Sequence, residues 1–321
     1  MKKLISSLLV LSCFYFTAAH AQEDLPSDVK YQDTAPVAPV VSAFSDGEEK
    51  IPARSPWNLS YFGLYSVETK AFDYPNPSLF TYNYIGVNYR ISKDTKLSLR
   101  IAFLHTFAGN DDRGQEVKQD TALSDAHIAY SDYDLFTLGP IDVGASFKFY
   151  FPTSETSQAT HMFGKFRPEM YWEWAYGGYS SLTYVIKPDY YFQRQTAYVA
   201  TTAKYNNDGS FVFDPRRTNK IATIEQFIQW EINMNKFYSF MPKVGFADEW
   251  YYGSEAEGLP GGHDTKVLSA IGVKVRPMRG LNFELSLQNN ASATGQNKTR
   301  FWHPDDNQLL LITNAGLSTM F

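Results

Sequence analysis

The residues with chemistry to offer are set among apolar neighbours at even spacings. Arg100 stands between Leu99 and Ile101, Lys148 between Phe147 and Phe149, and Glu284 between Phe283 and Leu285. Lys187 and Asp189 are two residues apart, Glu169 and Glu173 four, and Glu225 and Glu231 six. In an extended chain, even spacing puts side chains on one face. Arg90, Lys243 and Lys274 fall on that same face by the parity of their segments. A surface that gathers carboxylates, ammonium groups and guanidinium groups can order water and admit a polar solute. The acids Glu169, Glu173, Asp189, Glu225 and Glu231 come from one run of segments, and the bases Arg90, Arg100, Lys148, Lys243 and Lys274 from others. In a closed ring they would occupy separate walls, with an electric field across the space between. Tyr150, Tyr171 and Tyr191 share the face, either as hydrogen-bonded wall or as platforms for a flat solute.

Catalytic chemistry has less support. His127 and Ser131 are four apart and share one strand face, a base and a nucleophile by type. His161, His263-Asp264 and His303-Asp305-Asp306 lie between the apolar segments without tight metal-ligand spacing. The expectation is no catalytic residue, no metal and no cofactor.

These residues are positioned by strands. Leu97, Leu99, Ile101 and Phe103 alternate with Ser98, Arg100 and Ala102; Val143, Ala145, Phe147, Phe149 and Phe151 alternate with Gly144, Ser146, Lys148 and Tyr150. A period of two is the primary strand signal. Twelve such segments are expected: 57–67, 81–91, 96–107, 123–134, 142–152, 165–176, 181–192, 221–232, 237–250, 265–276, 280–289 and 309–321. The connections between them alternate strictly between short, as at Ser92–Thr95 and Gly177–Ser180, and long, as at 108–122 and 193–220. Trp172, Trp174, Tyr176 and Tyr179 cluster near one short connection, and Trp230, Phe237 and Phe240 near another. The 193–220 connection carries Tyr198, Tyr205, Phe211 and Phe213, and is long enough to fold inward or meet an external partner.

Aromatic residues make up 16% of the chain, yet the mean hydropathy is −0.34. That pairing suits strands with one apolar and one polar face. At the N-terminus, Lys2-Lys3, the apolar stretch Leu4–Phe16 and small Ala19 and Ala21 form a secretory leader cleaved after Ala21. Past it, no apolar run reaches the roughly 18 residues of a spanning helix. The only cysteine, Cys13, lies within the leader, and bulky Leu11 before it argues against lipid attachment. The chain has 29 Lys and Arg against 34 Asp and Glu, so losing Lys2 and Lys3 takes the net charge from −5 to −7. Mild acidity without basic clusters excludes nucleic acid as the expected partner. Residues 22–56, with five prolines and no periodicity, read as a disordered extension.

The last segment has Leu309, Leu311, Thr313, Ala315, Leu317, Thr319 and Phe321 at alternate positions. It resembles the C-terminal signature of Gram-negative outer-membrane β-barrels, which end in Phe. The resemblance implies an all-β, transmembrane antiparallel up-and-down barrel of 12 strands, with short periplasmic turns, long outer loops and both termini periplasmic. The domains would be a leader at 1–21, a periplasmic extension at 22–56 and the barrel at 57–321. Phe321 would be the signal read by the barrel-assembly machinery. Lipid and lipopolysaccharide would surround the barrel, with Asp111-Asp112 and Asp305-Asp306 placed to meet divalent ions. The charged face would line a channel for passive diffusion of small hydrophilic solutes. The alternatives are a closed barrel whose outer loops contact a partner or surface, and a phospholipase-like enzyme. Against the last, no His-x-Ser-Asn-Gly pattern occurs.

Overall fold

A computed structural model describes residues 56–112, 114–199, 216–255, 258–278, 280–292 and 307–316. The leader with Ala19 and Ala21, the extension before residue 56, His303, the Asp305-Asp306 pair and Phe321 lie outside the described residues.

Twelve antiparallel strands form one ring. They are β1 (Trp57–Glu68), β2 (Phe80–Arg90), β3 (Thr95–Thr106), β4 (His127–Leu138), β5 (Ile141–Tyr150) and β6 (Met162–Tyr176). The others are β7 (Ser180–Gln193), β8 (Lys220–Asn233), β9 (Tyr238–Tyr251), β10 (Gly262–Met278), β11 (Leu281–Ser292) and β12 (Asn307–Gly316). Each strand pairs with its sequence neighbours, and β1 also pairs with β12, for example Leu64 opposite Ile312, so no edge remains. Closure matters because lipid supplies no hydrogen bond for a free strand edge.

Alternation decides the faces. On β3, Leu97, Leu99 and Ile101 are exposed while Ser98, Arg100 and Ala102 are buried. On β5, Phe147 and Phe149 point out, and Ser146, Lys148 and Tyr150 point in. Ile85, Val87, Ile228, Val244, Phe246, Ile271 and Leu285 extend the outer apolar surface around the ring. So large an apolar surface needs a lipid solvent. Polar groups on the outside satisfy one another: the Tyr61 hydroxyl donates to Asn83 Oδ1 at 2.7 Å, and the Tyr184 hydroxyl to Gln226 Oε1 at 2.9 Å. Aromatic rings gather at the short-turn end, with Trp57 and Tyr89 4.9 Å apart and Trp174 and Tyr176 5.0 Å apart. That is the placement of an interfacial girdle.

The short connections at 91–94, 139–140, 177–179, 234–237 and 279–280 share this end, and the long ones share the other. The fourth strand departs most from the expected span of 123–134. Asp120–Leu123 pairs with the upper part of β3, pairing stops at 124–126, and β4 resumes at His127 and runs to Leu138. The break turns Asp125 toward the next outer loop. There its carboxylate accepts the Ser154 backbone N–H at 2.9 Å and the Ser157 hydroxyl at 2.5 Å. The latter two residues begin a short helix, α1 (Glu155–Ala159), with Ser154 as its N-cap. At the other end of β4, Gly139 with φ 62° makes the turn with only two residues, which shortens the connection expected at 135–141.

Candidate functional site: the barrel interior

The inward faces divide into two sectors. One is apolar, built from Phe62 and Leu64 of β1, Tyr82 and Tyr84 of β2, Ala102 of β3, and Leu310 and Ile312 of β12. The Phe62 and Tyr84 rings stack 4.9 Å apart with their planes 10° from parallel. Leu310 and Ile312 face inward while Leu309 and Leu311 face out, because Leu309–Ile312 is apolar at every position and its alternate members serve opposite faces.

The other sector is ionic and runs from β5 to β10. Lys148 lies directly opposite Arg167, so the two cations turn to carboxylates further along the wall. Lys148 Nζ reaches Glu169 Oε1 at 2.5 Å, while Glu169 Oε2 accepts the Tyr171 hydroxyl. Arg167 grips Asp189 with two N–H groups, the Nη2 bond measuring 2.5 Å, and its Nη1 donates to the Tyr150 hydroxyl at 3.3 Å. Two parallel bonds fix the guanidinium plane as well as its charge. Lys187 and Glu225 face one another across β7 and β8 at 3.1 Å. Toward the outer end, Glu249 takes Lys220 at 3.1 Å and Lys266 at 3.4 Å. Near the short-turn end, Glu231 of β8 is held by Lys274 of β10 at 3.0 Å and by Arg276. The intervening strand presents Ser239 opposite Lys274, and its hydroxyl accepts from Arg276 and donates to Glu231.

The separate acidic and basic walls expected from strand order therefore do not form. Arg167 and Lys187 sit among the acids on β6 and β7, and the long side chains of Lys148 and Lys274 close further pairs. Unpaired charges inside a barrel wall carry a desolvation cost that pairing offsets. Of the remaining residues expected to line the lumen, Lys243 holds its ammonium 4.4 Å from the Phe227 ring centre. Glu284 lies in the fields of Lys243 and Lys274 without an ion pair among the described residues. Glu173 points inward near Ser181, and Arg90 is exposed at the short-turn end of β2. Arg100 lies over Tyr84, with its guanidinium carbon 4.8 Å from the ring centre.

Sequence reasoning omitted Lys165, Lys220, Glu249 and Lys266. Lys165, whose ammonium is 4.1 Å from the Tyr150 ring centre, precedes Arg167 with the right parity and was legible. So were Glu249 and Lys266. Lys220 was not, because a register shift between Lys220 and Ala222 breaks the parity of β8.

The candidate base and nucleophile do not meet. His127 stacks on Tyr150 at 4.4 Å, and the Ser131 hydroxyl pairs with that of Ser146 at 2.9 Å. His263, at the outer end of β10, has Nε2 3.4 Å from Asp248 Oδ1 and stacks on Trp250 at 5.1 Å.

A closed ring with an apolar outer band, an interfacial aromatic girdle and an ionic interior is a transmembrane β-barrel of the outer-membrane class. In fold the chain is similar to an outer membrane channel from Pseudomonas putida F1, at 9% identity over 85% of this chain and 100% of that one, with a TM-score of 0.49. It is also similar to the NanC porin, at 7% identity over 80% of this chain and 98% of that one, with a TM-score of 0.41. The β domain of the Bordetella autotransporter BrkA is similar at 8% identity over 82% of this chain and 100% of that one, with a TM-score of 0.42. No family model and no curated protein matches the sequence.

Proposed function

We propose that the protein is an outer-membrane channel for the passive passage of small hydrophilic solutes. The observation that carries this reading is the inversion of polarity: apolar side chains cover the outside, and lysines, arginines, aspartates and glutamates from β3 to β11 face the inside. A barrel that only had to stand in lipid could fill its interior with apolar layers. Arg90, Arg100, Lys148, Glu169, Glu173, Lys187, Asp189, Glu225, Glu231, Lys243, Lys274 and Glu284 are the proposed lining. Thr183, Gln229, Glu231, Lys243 and Glu284 keep partial exposure, whereas Arg167, Glu169, Lys187 and Asp189 are buried by their neighbours. This favours a narrow path beside a packed ionic wall, with selectivity for small polar solutes. In this reading residues 1–21 are a leader, 22–56 a periplasmic extension and 57–321 the barrel. Both chain ends are then periplasmic, and the last strand is handed to the assembly machinery. The membrane supplies lipid and lipopolysaccharide as surroundings.

The second reading, a closed barrel with a binding role for its outer loops, draws support from the same buried ion pairs. Single-channel recording of purified, folded protein in planar bilayers separates the two. Small, discrete, ohmic current steps are expected; folded protein that inserts without current would remove the channel reading.

A further inference from the structure

Arg100 is out of keeping with the rest of the ionic interior. It faces inward from the middle of β3 and is only 6% exposed. Among the described residues it has neither a carboxylate within ion-pair distance nor a hydrogen-bond acceptor, and its Nε is buried without a partner. Lys148, Arg167, Lys187, Lys220, Lys266, Lys274 and Arg276 each reach an acid. The acid whose field Arg100 feels is Glu169. Both oxygens of that carboxylate are already engaged elsewhere, Oε1 with Lys148 and Oε2 with Tyr171. Arg100, like Lys243 over the Phe227 ring elsewhere in the barrel, thus has no acid of its own among the described residues.

The Tyr84 ring lies beneath the flat face of the guanidinium. Stacking uses the face and leaves the in-plane N–H groups aimed outward from the ring. Tyr84 is itself fixed from behind by Phe62. Gly86 lies opposite Arg100 on β2, and Ala102 and Ser98 flank it on β3, while the buried His127 ring lies opposite it on β4. A rigidly held fork of donors without acceptors, with small side chains on its β2 and β3 sides, is complementary to a planar oxyanion.

We propose that Arg100, stacked on Tyr84, is an internal binding site for the carboxylate of a small solute. The proposal rests on the channel reading only in that the solute must be able to enter the barrel. Bound carboxylate would supply the acceptors that Arg100 lacks and compensate its charge.

Saturation-transfer NMR on the folded protein in detergent, with sodium acetate as probe and acetamide as its uncharged counterpart, tests the site without requiring conduction. Acetate should show saturable transfer and acetamide none at matched concentration. Arg100→Gln should weaken acetate binding by about tenfold or more, the loss of a charge-assisted pair. Arg100→Lys, which keeps the charge and loses the fork, should fall between, and it carries the comparison if the glutamine variant does not fold. Lys236→Gln, at an exposed short turn, should bind like the parent. The proposal is overturned by no saturable acetate signal, by equal acetamide binding, by undiminished binding in both Arg100 variants, or by an equal loss in Lys236→Gln. Acetate binding without bilayer current would keep this site and remove the channel; current without acetate binding would do the reverse.

Discussion

Lys187 and Glu225 face each other directly across β7 and β8, their charged atoms 3.1 Å apart within the barrel wall. Both side chains are nearly closed off from solvent, so each charge has the other as its compensating partner where water cannot serve. Removing one partner should be much worse than removing both. Glu225→Gln alone leaves a buried ammonium uncompensated and should destabilise the barrel by about 3–5 kcal/mol. The double variant Lys187→Met with Glu225→Met should recover most of that loss. Equilibrium urea unfolding of protein folded in lipid vesicles measures the difference, and a double variant as unstable as Glu225→Gln would contradict it.

The outward face makes an independent prediction about depth. Phe147 lies mid-strand on the outside of β5, whereas Leu138 is exposed at the end of β4 beside the two-residue turn. Phe147→Arg should cost about 2–4 kcal/mol and Leu138→Arg about 0–1 kcal/mol, because a charge is worst at the bilayer midplane. The same vesicle unfolding assay reads both. Equal costs at the two sites would mean that β5 does not cross the bilayer as assigned.

Asp125 holds an outer loop rather than the barrel. Its two oxygens take the Ser154 N–H and the Ser157 hydroxyl, at a point where pairing to β3 has already lapsed. Asp125→Ala should therefore expose residues 151–161 to limited proteolysis from the loop side while leaving the unfolding midpoint nearly unchanged. A fall in global stability with no new cleavage would place Asp125 in the barrel's framework instead.

These predictions separate what the chain declares from what only closure reveals. Strand number, the alternation of short and long connections, and the face of Lys148, Glu169 or Asp189 were legible, since a period of two survives any barrel geometry. Three features were hidden. Asp125 reads as one more polar residue in an alternating stretch, and nothing local says that its carboxylate is committed to a loop nearly thirty residues on. Leu309–Ile312 is apolar at every position, so parity could not reveal that Leu310 and Ile312 turn inward to meet Phe62 and Leu64. Lys274 and Glu231 are partners across an intervening strand, permitted by the small side chain of Ser239. A list of charges per strand missed this and suggested opposed walls. Pairing depends on side-chain length and on what the strand between presents, and both act only once the ring has closed.

Glu284 offers the sharpest test of what the interior charges do. It faces inward from β11 opposite Ile312, keeps partial exposure, and makes no ion pair among the described residues. Lys274, its register partner on β10, is drawn away to Glu231. Neutralising a paired acid such as Glu225 would disturb the wall, so its effect on ion flow would be mixed with misfolding. Neutralising Glu284 removes a charge without stranding a partner. In a conducting barrel, Glu284→Gln should leave folding intact, as judged by heat-modifiable electrophoretic mobility. It should also move the reversal potential under a potassium chloride gradient toward anion preference. An unchanged reversal potential in a folded, conducting variant would put the ion path elsewhere than along β11, and with it the assignment of Glu284 and Lys243 to the lining.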